Sequence, residues 1–291
     1  MKVETPLVYV VILNWNGWED TLDCLSSLEK LAYPKYEVVV VDNGSTDGSE
    51  SKIREAYPGI AVLQTGDNLG FAGGNNLGIR YALEQGADFI WFLNNDAVVD
   101  SRALHFLLLE ALSDKSIGMV GSKIYYHEHP NRIWFAGGTI DRLTAWATHI
   151  GMGEADLGQW DRERDVGYVS GCSFLVSKVL VEDIGFLDTR FFLYYEESDW
   201  ATRAWENGWR LRYQPKSIVW HKVSRSVQLD SPVMAYHLCK SWALYAKKHI
   251  SSTPAFTVLA IIRYLAPLLV RGKVTTAVAG IRGAKSGLDQ T

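Results

Sequence analysis

The sequence predicts an α/β fold, a mostly parallel central sheet with helices on both faces, followed by a helical C-terminal extension. Two patterns carry the first part: continuous Val/Ile-rich runs of strand length, and helix-period segments alternating with them. A change of composition carries the second. From residue 231 on, eight Lys/Arg stand against Asp289 alone, so this stretch carries +7 of a chain whose net charge is -4.

Each element has its own signal. Leu7–Asn14 is an unbroken apolar run that ends on an amide, and Trp18–Leu31 follows with helical spacing. Tyr36–Asn43 repeats the strand pattern, and Ser49–Tyr57 is a short helix. Ile60–Thr65 is a third strand, Asn75–Gly86 a helix closed by a glycine, and Asp88–Asn94 a fourth strand. Ser101–Leu112 and Ser116–Ser122 continue the alternation. Beyond Ser122 the rhythm changes. Arg132–Gly151 reads as short strands with glycine turns, a meander at the sheet edge. Residues 151–166 are charged without an apolar period and read as a mobile loop. Val166–Lys178 is strand-like, and Ser198–Gly208 is a helix closed by glycine. Arg210–Pro215 and Ser217–His221 read as two strands, and the chain then reads as helical from Ser231 almost to its end.

Composition narrows the function classes. At 291 residues and 47% hydrophobic, the chain can bury one large core or two modest ones. A net charge of -4 argues against a nucleic-acid partner. Because the tail carries +7, the preceding residues carry -11. A basic, apolar tail on an acidic body points to an anionic surface, a membrane. Cys24, Cys172 and Cys239 have neither metal-ligand nor redox spacing, which fits a reducing cytoplasm. Met1–Pro6 lacks the basic start and long apolar run of a signal peptide.

The carboxyl ends of the strands are polar: Asn14 and Asn16, Asp42 and Asn43, Asn68, and then Asn94-Asn95-Asp96. Turn chemistry alone accounts for any one of these clusters. In a parallel sheet, however, the ends share one edge, where open α/β sheets bind ligands. A rim of amides and carboxylates without a basic cradle or glycine-rich phosphate loop suits a ribose and base, with Mg2+ or Mn2+ screening phosphates.

"VVILNWNG", "VVDNGSTDGS", "NLGFAGGNNLGI" and "FLNNDA" stand in the order and spacing of the family 2 glycosyltransferases, inverting enzymes of Rossmann-like GT-A fold, which this chain resembles. The resemblance runs from about Val8 to His221 through "SGCSFLVSK" and "GFLDTRFFLYYEESDWATRAWENGWRLRYQPKSIVWH". The later block looks most like bacterial rhamnosyltransferases. The resemblance implies a catalytic domain over 1–230, with a nucleotide-sugar half to about 122 and an acceptor half over 123–230, and an extension over 231–291.

It also implies roles. Asp42 matches the carboxylate that contacts base or ribose. Asn14, Asn16, Asn43, Asn68, Gly70, Asn94 and Asn95 fall where relatives hold the nucleotide sugar. Asp96 matches the metal-binding end of an Asp-x-Asp motif whose first position is here Asn94, one negative charge fewer beside the diphosphate. His221 matches a histidine that ligates the metal or binds diphosphate. Glu197 matches the general base, with Glu196 orienting the acceptor or supporting its neighbour. Apart from the resemblance, Glu196, Glu197 and Asp199 read as an acidic first helical turn favoured by the helix dipole. Partial burial or a neighbouring carboxylate would raise a glutamate toward the pKa a neutral-pH base needs. His127 and His129 read as a solvated loop rather than a metal pair. Trp134, Trp146, Trp160, Trp205 and Trp209 read mainly as core, with stacking on sugars as the alternative.

Pro254–Val270 is apolar but only 17 residues long, interrupted by Arg263 and Pro267, short of the ~20 a span needs. It reads as a helix lying on a membrane, or packed on the catalytic domain or a dimer partner. The implied activity is transfer of a sugar, rhamnose from dTDP-rhamnose, to a glycan or lipid-linked acceptor at the cytoplasmic face, in polysaccharide synthesis. Two alternatives are an inactive sugar-nucleotide binder, suggested by Asn94, and a nucleotidylyltransferase, disfavoured because "NWNGWED" is acidic where a basic glycine loop belongs. A classical dinucleotide oxidoreductase is disfavoured by the lack of Gly-x-Gly-x-x-Gly after the first strand.

Overall fold

The computed structural model describes residues 5–223, 231–250 and 254–290. Its elements, in chain order, are β1 (Val8–Asn14), α1 (Trp18–Leu28), β2 (Tyr36–Asp42), α2 (Ser49–Ala56), β3 (Ala61–Gln64), α3 (Gly70–Glu84), β4 (Phe89–Asn94), β5 (Ala97–Val99) and α4 (Ala103–Ser113). There follow β6 (Ile117–Tyr126), β7 (His129–Phe135), β8 (Gly138–Ile140), β9 (Ala147–His149), β10 (Arg164–Asp165), β11 (Ser173–Ser177), α5 (Lys178–Ile184), α6 (Glu196–Glu206) and β12 (Arg210–His221). α7 (Pro232–His249), α8 (Pro254–Val270) and α9 (Val274–Asp289) complete the chain.

The main sheet runs β10-β12-β6-β11-β4-β1-β2-β3. β1 pairs in parallel with both β2 and β4, and β2 with β3, whereas β11 is antiparallel to β4 and β6. The chain leaves β1 toward β2 and β3 and returns on the other side of β1 as β4. That reversal is the switch point where open sheets form a crevice. Register makes the rim: Asn14 stands opposite Asp42, and Leu13 opposite Asn94.

α3 lies close on the sheet because its inner face is glycine. A Cβ on Gly74 would overlap Leu13, and one on Gly78 would overlap Val11. Across the same face, Trp200 of α6 meets the Phe92 ring edge-on at 5.7 Å and Phe174 at 6.3 Å. Such contacts explain why both helices are buried along one side.

The structure departs from the sequence expectations at several points. α3 begins at Gly70, five residues before the expected Asn75, because Asn68 folds its side chain back to accept from Gly70 N at 2.9 Å. The two strands expected at 210–221 are one, β12, with irregular register against β6 between Gln214 and Ile218. Of the strand-like 166–178, only Ser173–Ser177 is strand, and α5 follows at once, with Ser177 Oγ accepting from Leu180 N as its N-cap. β5 is too short to show in an apolar pattern. The 151–166 segment is pinned: Lys123, buried on β6, reaches Asp156 at 2.5 Å and Asp161 at 2.6 Å, Tyr125 also bonds Asp156, and Arg164–Asp165 joins β12. The expected edge meander is present as β7 on β6 and the β8–β9 pair.

The three tail helices form a second cluster around Trp242, Leu244, Ile261, Leu265 and Ala277. Gly283 and Gly287 bring α9 so near α7 that a Cβ would strike the Tyr236 and Lys240 carbonyls. The boundary expected at 230 lies outside the described residues. α7 packs on the main body rather than standing free, as the ion pairs below show. If α3 needs its glycine face, Gly78→Val should cost about 1–3 kcal/mol through overpacking against Val11 and Val41. Urea unfolding would show this as a lowered midpoint at constant slope, and an unchanged midpoint would contradict it.

Candidate active site

The rim of β1, β2 and β4 is an organised polar network. Asn14 is fully buried; its Nδ2 donates to Asp42 Oδ2 at 2.8 Å, and its Oδ1 accepts from Thr21 Oγ1 at 2.8 Å. Asp42 Oδ1 accepts from Ser45 N and from Gln64 Nε2. Asn43 donates to Asn68 Oδ1 and to the Gly70 carbonyl, while its own oxygen accepts from Leu69 N. Asn16, exposed and at φ 51°, accepts from Thr46 N at 2.8 Å. Asn95 donates to Gly17 O and Thr21 Oγ1 at 3.2 Å each. The structure therefore gathers the residues read from the sequence onto one rim, and much of their hydrogen bonding shapes the loops. Gly70 has a steric reason as well: its φ is +71°, and a Cβ there would lie 2.7 Å from the Phe192 ring.

Asp96 follows β4 where the chain turns into β5, and β5 pairs antiparallel with the end of β12. That pairing sets Asp96 Oδ1 3.0 Å from His221 Nε2, with Asn94 Nδ2 3.5 Å from the same nitrogen. Burial opposes a charge on His221, yet the Cys172 sulfur and the Asp96 carboxylate raise its pKa to about 10. Among the described residues no group of three or more His, Cys, Asp or Glu is placed to hold a metal. With the His221 proton displaced, the Asp96–His221 pair fits a divalent ion that takes its remaining ligands from diphosphate and water. Two donors 3.0 Å apart span one edge of an octahedron with bonds of about 2.1 Å. Lys222, next along, is engaged by Asp20 and Asp23.

The three acids at the start of α6 meet different fates. Burial first, and then the charge of Glu197, raise the Glu196 pKa well above that of an ordinary glutamate. Burial also raises Glu197, to about 7, with a hydrogen bond from Glu196 working the other way. Protonated Glu196 thus supports an ionised Glu197. Asp199 is buried too, but His249 at 2.7 Å, Lys248 at 2.6 Å and Arg203 at 3.0 Å hold it below the usual carboxylate range. The turn into α6 is strained: Tyr194 and Tyr195 both have φ near +70°, at 69° and 68°. Each such residue costs of order 1–3 kcal/mol and needs neighbours to hold it. α7 supplies them. Tyr195 packs on Tyr245, Ser241 donates to Leu193 O, and Lys248 pairs with Asp188 as well as Asp199. Phe71 N donates to Phe192 O, which brings this turn to the start of α3 and so to the rim.

Residues 9–185 match the model described as glycosyl transferase family 2. The chain belongs to that family. An N-acetylglucosaminyl-diphospho-decaprenol L-rhamnosyltransferase of Mycobacterium tuberculosis is 26% identical over 269 residues, covering 84% of this chain and 86% of the relative. The dTDP-rhamnosyl transferase RfbF of Shigella flexneri is 23% identical, covering 84% and 81%. The low-salt glycan biosynthesis hexosyltransferase Agl10 of Haloferax volcanii is 28% identical over 67% of this chain, which spans 60% of that relative's length. The fold matches the mannosyltransferase PcManGT from Pyrobaculum calidifontis, solved with GDP-Man and Mn2+, at TM-score 0.64 and 18% identity over 99% of this chain and 88% of that one. It also matches GalNAc-T7, solved with UDP, GalNAc and Mn2+, at TM-score 0.67 and 16% identity, over 84% of this chain and 48% of that one. The architecture is GT-A.

Several residues at the site escape sequence reasoning. Cys172, beside His221, reads as one more apolar strand residue. Lys248 and His249 lie in a tail whose basic charge suggests a surface, yet they bind a buried carboxylate. Trp134 and His149 sit in the meander; burial lowers the His149 pKa to about 4. Trp146, Trp205 and Trp209 pair elsewhere, with Trp242, Arg142 and Asp183. Trp160 lies under Arg164, and His127 and His129 are exposed.

The Glu196 shift fixes a sign. Its carboxyl ionises near 4.5 when unfolded and at higher pH when folded, so its contribution to stability is full below 4.5 and is lost as pH rises through the folded value. Glu196→Gln mimics the protonated form, so its stability relative to the parent should increase from pH 5 to pH 8. Thermal melts of both chains across that range test this, and a constant gap would contradict the buried-pair geometry.

Proposed function

We propose that this chain is an inverting, divalent-metal-dependent glycosyltransferase that moves rhamnose from dTDP-rhamnose to a hydroxyl of a glycan or lipid-linked acceptor. The observation that supports the reading is the Glu196–Glu197 pair, tuned by burial toward neutrality, at the start of a helix whose preceding turn is bonded to the start of α3. Glu197 takes the proton of the acceptor hydroxyl as its oxygen attacks the anomeric carbon and the nucleotide diphosphate departs from the opposite face. Glu196, protonated, keeps Glu197 in place. Asp96 and His221 would hold Mg2+ or Mn2+, which offsets charge on the leaving diphosphate. Asp42 and the amides of Asn14, Asn16, Asn43, Asn68, Asn94 and Asn95 shape the nucleotide-sugar side. Residues 1–122 then form the donor half, 123–230 the acceptor half and 231–291 an extension that braces α6. Rhamnose is favoured by the mycobacterial and Shigella relatives, each covered over more than four fifths of its length.

The extension also gives the enzyme a place to work, the cytoplasmic face of the plasma membrane. No helix among the described residues is long and apolar enough to cross a membrane. α8 turns Ile261, Leu265 and Leu268 inward and leaves Phe256, Leu259, Ile262, Leu269 and Val270 outside, with Arg263, Arg271 and Lys273 exposed nearby. Apolar side chains fringed by cations suit the headgroup region of an anionic bilayer.

Glu197→Gln should lower kcat by at least about a hundredfold while leaving metal-dependent dTDP binding intact, and Asp96→Ala should lose that binding. In the parent enzyme kcat/KM should fall as pH drops below about 7, where Glu197 takes up a proton. Undiminished turnover in Glu197→Gln would remove the base assignment. Separately, the chain should sediment with phosphatidylglycerol vesicles but not with phosphatidylcholine ones, and Leu259→Asp with Ile262→Asp should release it. Equal recovery with both lipids would dismiss the membrane reading.

A further inference from the structure

We infer that Lys248 of α7 is a positioning residue: its one ammonium fastens both ends of the stretch 188–199 and so holds the Glu196–Glu197 pair in the geometry that transfer needs. The inference rests on the glycosyltransferase reading above and assigns part of the rate to the C-terminal extension.

The ammonium lies 2.7 Å from Asp188 Oδ2 and 2.6 Å from Asp199 Oδ1. Asp188 stands before the strained turn, and Asp199 lies in the first turn of α6, just after the two glutamates. One cation therefore closes a loop whose middle carries Tyr194 and Tyr195, at φ 69° and 68°, and then Glu196 and Glu197. The closure is largely shielded from water: the Asp199 side chain is 0% exposed, that of Asp188 15% and that of Lys248 23%. Ion pairs so placed are screened far less than surface ones. Phe191, within the stretch, is fully buried, with the ammonium 5.8 Å from its ring centre.

Closure matters because two consecutive left-handed tyrosines occupy a backbone region that bulky side chains avoid. With the ends free, the turn can relax, and relaxation rotates the peptide that leads directly into Glu196. The other clasps from neighbouring elements act at single points. Ser241 donates to the Leu193 carbonyl at 2.8 Å, and the Tyr195 hydroxyl donates to the Ala145 carbonyl at 2.9 Å. Lys248 spans the two ends.

The same contacts separate this role from plain stability. Without Lys248, Asp199 keeps His249 at 2.7 Å and Arg203 at 3.0 Å, and Asp188 keeps Arg190 at 2.7 Å. Neither carboxylate loses its last cation, so the fold should survive while the loop loosens. The tie to the nucleotide rim is also independent of Lys248. Asn76 of α3 bonds both the N–H and the carbonyl of Leu187, and Phe71 N holds the Phe192 carbonyl. The effect should therefore fall on the chemical step and spare nucleotide binding.

The experiment compares the parent chain with Lys248→Met, Lys248→Arg, Glu197→Gln and the double variant. Rates are nucleotide release from dTDP-rhamnose, UDP-glucose or GDP-mannose with Mn2+, water serving as acceptor, using the donor that the parent cleaves fastest. Affinity for the matching nucleotide comes from calorimetry. Lys248→Met should lower kcat about tenfold or more, while KM and nucleotide affinity change less than about twofold. Lys248→Arg, able to reach both carboxylates, should recover most of the rate. In the Glu197→Gln background Lys248→Met should cost nothing further, since there is no base left to position. Amide exchange should quicken over 190–198 and stay at the parent level over β1, β2 and β4. A lysine that only stabilises the fold gives less folded protein with kcat per folded molecule unchanged, and that result overturns the inference. An equal further loss in the Glu197→Gln background, or a parallel loss of nucleotide affinity, does so too. Full turnover in Glu197→Gln removes the base reading and the inference with it, whereas lost turnover there beside full turnover in Lys248→Met removes the inference alone.

Discussion

One hydrogen bond organises the parallel half of the sheet: the side-chain amide of Asn14 to the carboxylate of Asp42, across the ends of two adjacent strands. The side-chain oxygen of Asn14 accepts from Thr21 of α1, and Asn95, after β4, donates to it at 3.4 Å. The other oxygen of Asp42 takes the Ser45 turn and Gln64 of β3. Four strand ends and one helix start therefore hang on two buried side chains. In a low-dielectric setting such a network is rigid when complete and costly when broken. Its completeness is what lets short polar turns stay fixed around the crevice.

The same economy appears at the start of α6, where three acids within four positions take separate states. Glu196 and Glu197 have only each other and the helix N-terminus, so burial drives one of them to keep its proton. Asp199 instead meets Lys248, Arg203 and His249, and its pKa is held below the usual carboxylate range. The difference lies in which element each side chain faces, not in sequence position. The helix that begins with the buried glutamate pair is thus anchored to α7 by a salt-bridged acid.

The alternating elements of the first 122 residues were legible because each strand is apolar on both faces and each helix has a turn signal beside it. The rim was legible for the same reason, since strand ends in a parallel sheet share one edge. Elements fixed by tertiary contact were not. β5 has three residues and exists through its pairing with β12, and the early start of α3 depends on the Asn68 side chain. The pinned 151–166 segment looked free because its tether, Lys123, lies in a β-strand where a lysine reads as an ordinary polar interruption. At the site, the motifs exposed the carboxylates, but the aromatic neighbour of His221, Trp134, comes from β7, far along the chain and without a motif. The basic tail also misled in part, since Lys248 serves an internal carboxylate. The glycines of α9 hold no sequence signature beyond their spacing, and their meaning appears only with α7 alongside.

The left-handed pair Tyr194–Tyr195 lies almost a hundred residues before the end of the chain, yet the side chains that hold it come from α7. During synthesis the nucleotide rim can close as soon as β4 has emerged, whereas the turn before Glu196 has nothing to brace it until residues 241–249 have left the ribosome. A growing chain would then acquire its polar rim well before it acquires an aligned carboxylate pair. The order of translation itself would leave the carboxylate pair unaligned until α7 has been made.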